Sequence, residues 1–250
     1  MTCLNYLAIN LWILGYLDQG VQKYQEAVDY AEQLSHPYSL TFAHGMAALF
    51  HAVRRDPHVA LHHSELAFKL AKESGFPFFL ALSMIVRGWA RSQAGKGSMA
   101  RKLVENGVEV MQVIGTELGQ PFYLSLMAEV GGTDNKQGLE LIRSALEKAD
   151  ESQELWFKSA IYWLWGKIGE TINLSRDEIS NQYWQSIEIA SEQEAKSFIL
   201  RGAVALVKFD AAGEQAQLAR HALRETYQWF EENQDDEFLV EAGILIKSAT

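Results

Sequence analysis

The chain has 250 residues and a mass of 28.2 kDa, and its 48% apolar and 22% charged content is that of a core-forming protein, not a disordered one. The net charge is −10 and all of it lies in the second half: residues 1–125 carry ten acids and ten Lys/Arg, residues 126–250 twenty-two acids and twelve Lys/Arg. Such a surface repels a phosphate backbone, so no nucleic-acid partner is expected. The single cysteine, Cys3, excludes an internal disulfide framework and a cysteine-based zinc site, and it points to a reducing, cytoplasmic compartment.

The first seventeen residues carry no charge but are interrupted by Asn5 and Asn10. They lack the basic start and small-residue cleavage site of a leader, and no segment is expected to span a membrane. Leu4, Leu7, Leu11 and Leu14 form one stripe of a helix, while Tyr6, Ile9, Trp12 and Ile13 fill much of the remaining circumference. A helix apolar nearly all round is expected to be covered. Either an upstream repeat or a second copy would cover it, and a homodimer through this helix is the expectation for the isolated chain.

Asp18 to Leu34 then places Val21, Tyr24, Ala27, Val28, Ala31 and Leu34 at helical spacing. Three prolines follow at a repeating interval, Pro37, Pro77 and Pro121, each preceded by a break and followed by aromatic and leucine residues. Proline is tolerated in the first turn of a helix, so these read as helix starts, and Pro57 marks a turn between two helices. Val59 to Ala71 and Leu103 to Met111 continue the helical period, and strand-like alternation is absent. The predicted fold class is all-α: an α-solenoid of about six antiparallel helix pairs with a C-terminal capping helix. It is read as one domain over 1–250, with repeats near 1–36, 37–76, 77–117, 118–153, 154–193 and 194–232 and a cap over 236–248. In the cap, Phe238, Ala242, Leu245 and Ile246 form the inner stripe.

Leu14 to Gly20, with Tyr24 and Ala27, resembles a tetratricopeptide (TPR) repeat. Gly20, Tyr24 and Ala27 stand where that motif has its small residue, aromatic and alanine. Ala60, Ser64 and Ala67 match in the second repeat, Ala100, Val104 and Gly107 in the third, then Gly138, Ile142 and Ala145, then Ile179, Tyr183 and Ser186, with Ala216 beyond. The whole chain is also similar to the TPR-like C-terminal region of bacterial signalling ATPases joined to class III nucleotide cyclases. That similarity rests on Leu11-Trp12 through Gln19, Leu34-Ser35-His36-Pro37, Arg87-Gly88-Trp89-Ala90, Leu126-Met127-Ala128-Glu129, Ala195-Lys196-Ser197 and Tyr227-Gln228-Trp229-Phe230. It implies a regulatory or interaction module and carries over no catalytic residue.

Few residues suggest chemistry. Gly95-Lys96-Gly97-Ser98 departs from a phosphate-binding loop in spacing and in the glycine after its lysine, so it reads as a turn. Six of the seven histidines lie between His36 and His63. His58 and His62 share a helical face, and His44 and His51 could face them from the preceding helix. No metal or other cofactor is expected, because histidines on a polar face are more often solvated or packed, although pH sensitivity of this repeat is plausible chemistry. Ser64 beside His63 cannot form a nucleophile–base pair from a helix interior, so the function is expected to be non-enzymatic. The crowded aromatics Trp156, Phe157, Tyr162, Trp163 and Trp165 read chiefly as packing between repeats.

In TPR arrays the first helix of each pair lines the concave surface. That register implies a partner-binding groove of Asn5, Ile9, Trp12, Phe42, Met46, Leu49, Leu82, Ile85 and Trp89. An apolar groove of this kind suits an amphipathic helix or apolar peptide from a protein partner. Substitution of Trp89 or Leu49 is then expected to weaken binding without unfolding. The alternative is an effector sensor that regulates an associated cyclase or ATPase by a change of shape.

Overall fold

A computed structural model describes residues 1–95, 97–130, 135–230 and 236–247, with the side chains of Ser98 and Asn135 outside the description. Thirteen α-helices and no strand occur among the described residues. They are α1 (Thr2–Ile13), α2 (Leu17–Leu34), α3 (Pro37–Arg54), α4 (Pro57–Ser74), α5 (Pro77–Gln93), α6 (Gly97–Val113) and α7 (Gln120–Val130). They continue as α8 (Asn135–Ser152), α9 (Lys158–Thr171), α10 (Arg176–Glu192), α11 (Lys196–Phe209), α12 (Glu214–Trp229) and α13 (Glu237–Lys247). A 3-10 turn, Leu155–Phe157, leads into α9. Each odd-numbered helix from α1 to α11 packs on the even-numbered helix after it, which makes six antiparallel pairs, and α13 rests on α11 and α12.

The tight turns follow from local chemistry. Ser35, Arg55 and Gly75 close α2, α3 and α4 in the left-handed conformation, at φ 49°, 70° and 74°. After two of them the chain folds back through bonds from Asp56 N to His51 O and Phe76 N to Ala71 O. The next residue in each case is proline at the first position of the following helix, where a missing N–H costs nothing. Asp56 adds a side-chain cap to α4 by accepting from Val59 N.

Within the pairs, small residues set the approach. A Cβ on Gly20 would lie 2.9 Å from Ala8 O, and one on Gly107 would lie 2.9 Å from Ala81 O. Ala27, Ala60, Ala67, Ala100, Ala145 and Ala216, on α2, α4, α6, α8 and α12, are all fully buried at the matching positions. Larger side chains there would push the two helices apart.

The solenoid closes on itself. The odd-numbered helices form an inner ring in which each touches the next, and α11 also touches α1. Ser197 Oγ donates to Trp12 O at 2.5 Å, and the Trp12 and Phe198 rings meet edge to face at 6.1 Å. Arg201 Nη2 donates across the ring to Val53 O at 2.9 Å. Outside this seam, Lys196 Nζ lies 4.2 Å from the Trp229 ring centre, and Trp229 meets Tyr16 at 5.5 Å.

Gly15 sits in that seam at φ +98°, where a Cβ would lie 3.0 Å from both Lys196 Cβ and Trp229 Nε1. Gly15→Val is therefore expected to cost about 1–3 kcal/mol and to loosen the join between the first and last pairs. Urea titration reads the cost, and small-angle scattering reads any larger radius. Unchanged stability and radius would mean that the two ends do not meet here.

Closure explains the fate of the N-terminal helix. Asn5, Ala8, Ile9, Trp12 and Ile13 are buried, against α2, α3 and α11 of the same chain, while Tyr6, Leu7 and Leu14 stay about half exposed. Ala8, Ile9, Trp12 and Ile13 are covered within the chain, whereas none of the stripe Leu4, Leu7, Leu11 and Leu14 is buried. At the other end, α13 buries Leu239 and Ala242 and half-buries Phe238, Leu245 and Ile246, close to the stripe read from the sequence. No helix among the described residues is long and apolar enough to cross a membrane.

Candidate functional site

The inner helices all run the same way, so the ring has an N-terminal and a C-terminal mouth. The N-terminal mouth holds a cavity of about 750 Å³. Its wall is built by the first turns of α3 and α5, the start of α7, the 3-10 turn before α9, and one face of α1. Proline at the head of α3 and α5 fixes where those helices begin, and the aromatics directly after each proline land on the cavity wall. Tyr38, Phe42, Phe76 and Phe79 interlock there, with Tyr38 edge-on to Phe76 at 5.3 Å and Phe42 edge-on to Phe79 at 5.5 Å. Met46, Leu49 and Leu82 form the aliphatic side, and Tyr6, Ile9, Leu118, Tyr123 and Trp156 complete it.

Polar groups in this cavity are few. Glu154 is the only carboxylate of its lining, and it accepts the Gly119 N–H at 3.0 and 3.1 Å, capping the approach to α7. Burial, with the Glu154 carboxylate and Tyr6 adding to it, pushes the Tyr123 hydroxyl well above the usual range, so it stays protonated. Asn10 and Thr116 add hydrogen-bonding capacity at the rim. The lining holds no nucleophile beside a base. Its capacity is for apolar binding.

Of the nine groove residues expected from the repeat register, five line this cavity: Ile9, Phe42, Met46, Leu49 and Leu82. The other four, expected on the same open face, are buried away from the cavity. Asn5 is turned back to Met1 O at 3.2 Å, and Trp12 is sealed under α11. Ile85 and Trp89 are fully buried inside the ring. The physical reason is closure: once α11 meets α1, the concave surface becomes an interior, and only its ends stay open. The register alone missed Tyr38, Phe76, Phe78, Tyr123 and Trp156, although the aromatic text after each proline was the signal for most of them.

Toward the C-terminal mouth Trp89 joins a polar network. Glu129 forms a paired salt bridge with Arg55, and its Oε2 accepts from Trp89 Nε1 at 2.8 Å while Oε1 accepts from Gln93 Nε2 at 3.0 Å. The Arg55 guanidinium sits between two indoles, 5.0 Å from the Trp89 ring centre and 5.2 Å from that of Trp163.

The histidines are brought together differently from the helical-face reading. His58 and His62 are exposed. His63 is the residue of α4 that turns inward, toward His44 and His51 of α3. His44 Nδ1 and His63 Nδ1 share a hydrogen bond at 3.1 Å, and the His51 and His63 rings stack at 6.0 Å. No group of three or more potential metal ligands gathers among the described residues.

Gly95 and Gly97 fall at the turn into α6, with Lys96 and the Ser98 side chain outside the described residues. Much of the negative charge of the second half is concentrated from Glu231 to Glu237, of which Glu231, Glu232 and Asp235 also lie outside the described residues. Of the aromatic cluster, Phe157 and Trp163 are buried, Trp156 lines the cavity, and Tyr162 stacks on Trp165 at 6.3 Å. No family model matches the chain, and no curated protein matches it.

Proposed function

We propose that the chain is a non-enzymatic binding module that takes the apolar anchors of a protein or peptide partner into the cavity at the N-terminal mouth. The observation that carries this reading is that cavity: about 750 Å³ of space among interlocked aromatics, with one carboxylate that is already engaged by a backbone N–H. Its size falls within the roughly 300–1,000 Å³ typical of ligand sites. The occupant that fits best is an amphipathic helix presenting side chains at i, i+3 or i+4, and i+7, because the wall is apolar on several sides and polar only at its rim.

As part of the same proposal, the six pairs are TPR repeats and the protein is a regulatory or scaffolding element of bacterial signalling in the cytoplasm. Small buried residues at the helix crossings support the repeat reading. Selection from a displayed library of helical peptides tests the binding. Peptides with clustered aromatic and aliphatic anchors are the expected winners. Leu49→Asp or Phe42→Asp is expected to weaken them about thirtyfold, the effect of losing roughly 2 kcal/mol at an anchor pocket, with far-UV circular dichroism unchanged. Selected peptides that bind both variants as tightly as the parent would overturn the assignment.

A second reading, an effector sensor acting on an associated nucleotide cyclase or ATPase, is favoured by ring closure. The cavity walls include α1 and α3, and these same helices hold α11 through Trp12 O and Val53 O. A ligand that moves them would bias the seam. Scattering that shows a ligand-dependent change of radius favours the sensor; binding without one favours the scaffold.

A further inference from the structure

The C-terminal mouth holds a second cavity, of about 450 Å³, walled mainly by α9, α11 and α13 with Arg55 and Gln93 at its edge. It shares no lining residue with the first. Four lining residues are cations, and three of these are held by carboxylates: Arg55 by Glu129, Lys167 by Glu170 at 3.2 Å, and Lys208 by Glu241 at 2.7 Å. Arg201 is the exception.

Arg201 is 1% exposed, and among the described residues no carboxylate pairs with it. Nη2 donates to Val53 O, whereas Nε is buried without a partner. Four aromatic rings surround the guanidinium, with centres at 4.9 Å (Phe238), 5.3 Å (Phe198), 5.4 Å (Trp163) and 5.5 Å (Trp12). Such rings stabilise a cation through their faces but offer no lone pair to its N–H groups. Burial, with Arg55 adding, draws its pKa down to about 9 against the weaker pull of Asp236 and Glu129, so the charge persists at neutral pH. A buried charge with an unfilled donor is costly, and an oxyanion arriving from the cavity would relieve both deficits.

We propose that this second cavity is a receptor for a carboxylate group, held by the Arg201 guanidinium. A singly charged carboxylate with an apolar body is the matching class. Glu170, Glu237 and Glu241 on the same wall repel a multiply charged phosphate, and Trp163, Val204 and Phe209 offer apolar contact. The carboxylate belongs to a small metabolite or to the free C-terminus of a peptide; the chemistry recognised is the same.

Calorimetry and thermal melts of the full chain with benzoate, inorganic phosphate, and a short apolar peptide with and without C-terminal amidation test this. Benzoate or the free-acid peptide is expected to bind and raise the melting temperature, and whichever is tighter identifies the source. Amidation is expected to abolish the peptide's effect. Arg201→Met is expected to weaken binding about ten- to a hundredfold. Because Arg201 also ties α11 to α3, a second variant, Ala205→Trp, fills the cavity and leaves the guanidinium in place; it too is expected to lose binding. The Arg201 Nε–H resonance, assigned by its absence in Arg201→Met, is expected to shift as benzoate is added. No response of the parent to any carboxylate, a response to phosphate alone, or unchanged binding by both folded variants would each overturn the proposal.

Discussion

Replacing Trp89 with alanine is expected to destabilise the protein by about 3–5 kcal/mol, the range for truncating a fully buried aromatic side chain. The repeat register had placed Trp89 on a binding face, where its loss would spare the fold. In the closed ring it has no exposed surface, its indole stacks under Arg55, and its Nε1–H is spent on Glu129. Trp89→Phe separates these contributions, since it keeps most of the volume and gives up the donor; about 1–2 kcal/mol is expected. Glu129→Ala should exceed that, at about 3 kcal/mol, because it strands Arg55 between two indoles and frees Trp89 Nε1 and Gln93 together. Urea denaturation of the three variants measures the order. A Trp89→Ala variant as stable as the parent would mean that the inner ring is not closed.

What the sequence made legible was local, and what it hid was long-range. Pro37, Pro57 and Pro77 open helices at their first position, and the residues two before them close the preceding helices, because proline geometry and left-handed caps act over a few residues. The small residues at Gly20, Ala60, Ala100 and Gly138 were readable for the same reason: a pair of adjacent helices has to cross somewhere. Closure was not readable. It depends on the small rotation between successive pairs accumulating until Ser197 reaches Trp12, 185 positions away, and no local pattern encodes that sum. The exposure expected of Trp12, Ile85 and Trp89, which are buried, fails through this one omission. Arg201 did leave a trace. It is the only charged residue in the otherwise apolar run from Phe198 to Val207. The histidines show a finer limit: helical spacing put His58 and His62 on a face, but which neighbour of His62 turns inward depends on how α4 is rotated against α3.

That rotation gives the protein an acid-labile joint, and lowering the pH from 7 to 5 is expected to cost about 2 kcal/mol of stability through His63 alone. Burial, reinforced by the nearby His44, His51 and His62, drives the His63 pKa down to about 3. His44 and His51 are also lowered, chiefly by burial, against upward pulls from Glu32 on the former and Asp56 on the latter. Tyr24 and Arg54 are the other titratable neighbours. Each of these histidines therefore binds fewer protons folded than unfolded. Their contribution is fully present above the unfolded value of about 6.5 and is lost as pH falls from there toward the folded pKa. Asp56 acts in the same direction at lower pH. Its carboxyl is held at about 2 by the His51 side chain and the Val59 N–H, against burial, so its contribution declines only below the ordinary value of 3.8. Between pH 7 and 5 the histidines thus dominate, and any loss through His44 and His51 adds to the figure for His63. Denaturant titrations of the parent and His63→Leu at pH 7 and pH 5 measure this: the variant is expected to lose markedly less stability than the parent over that interval. Equal losses in the two proteins would place the acid sensitivity outside the α3–α4 pair.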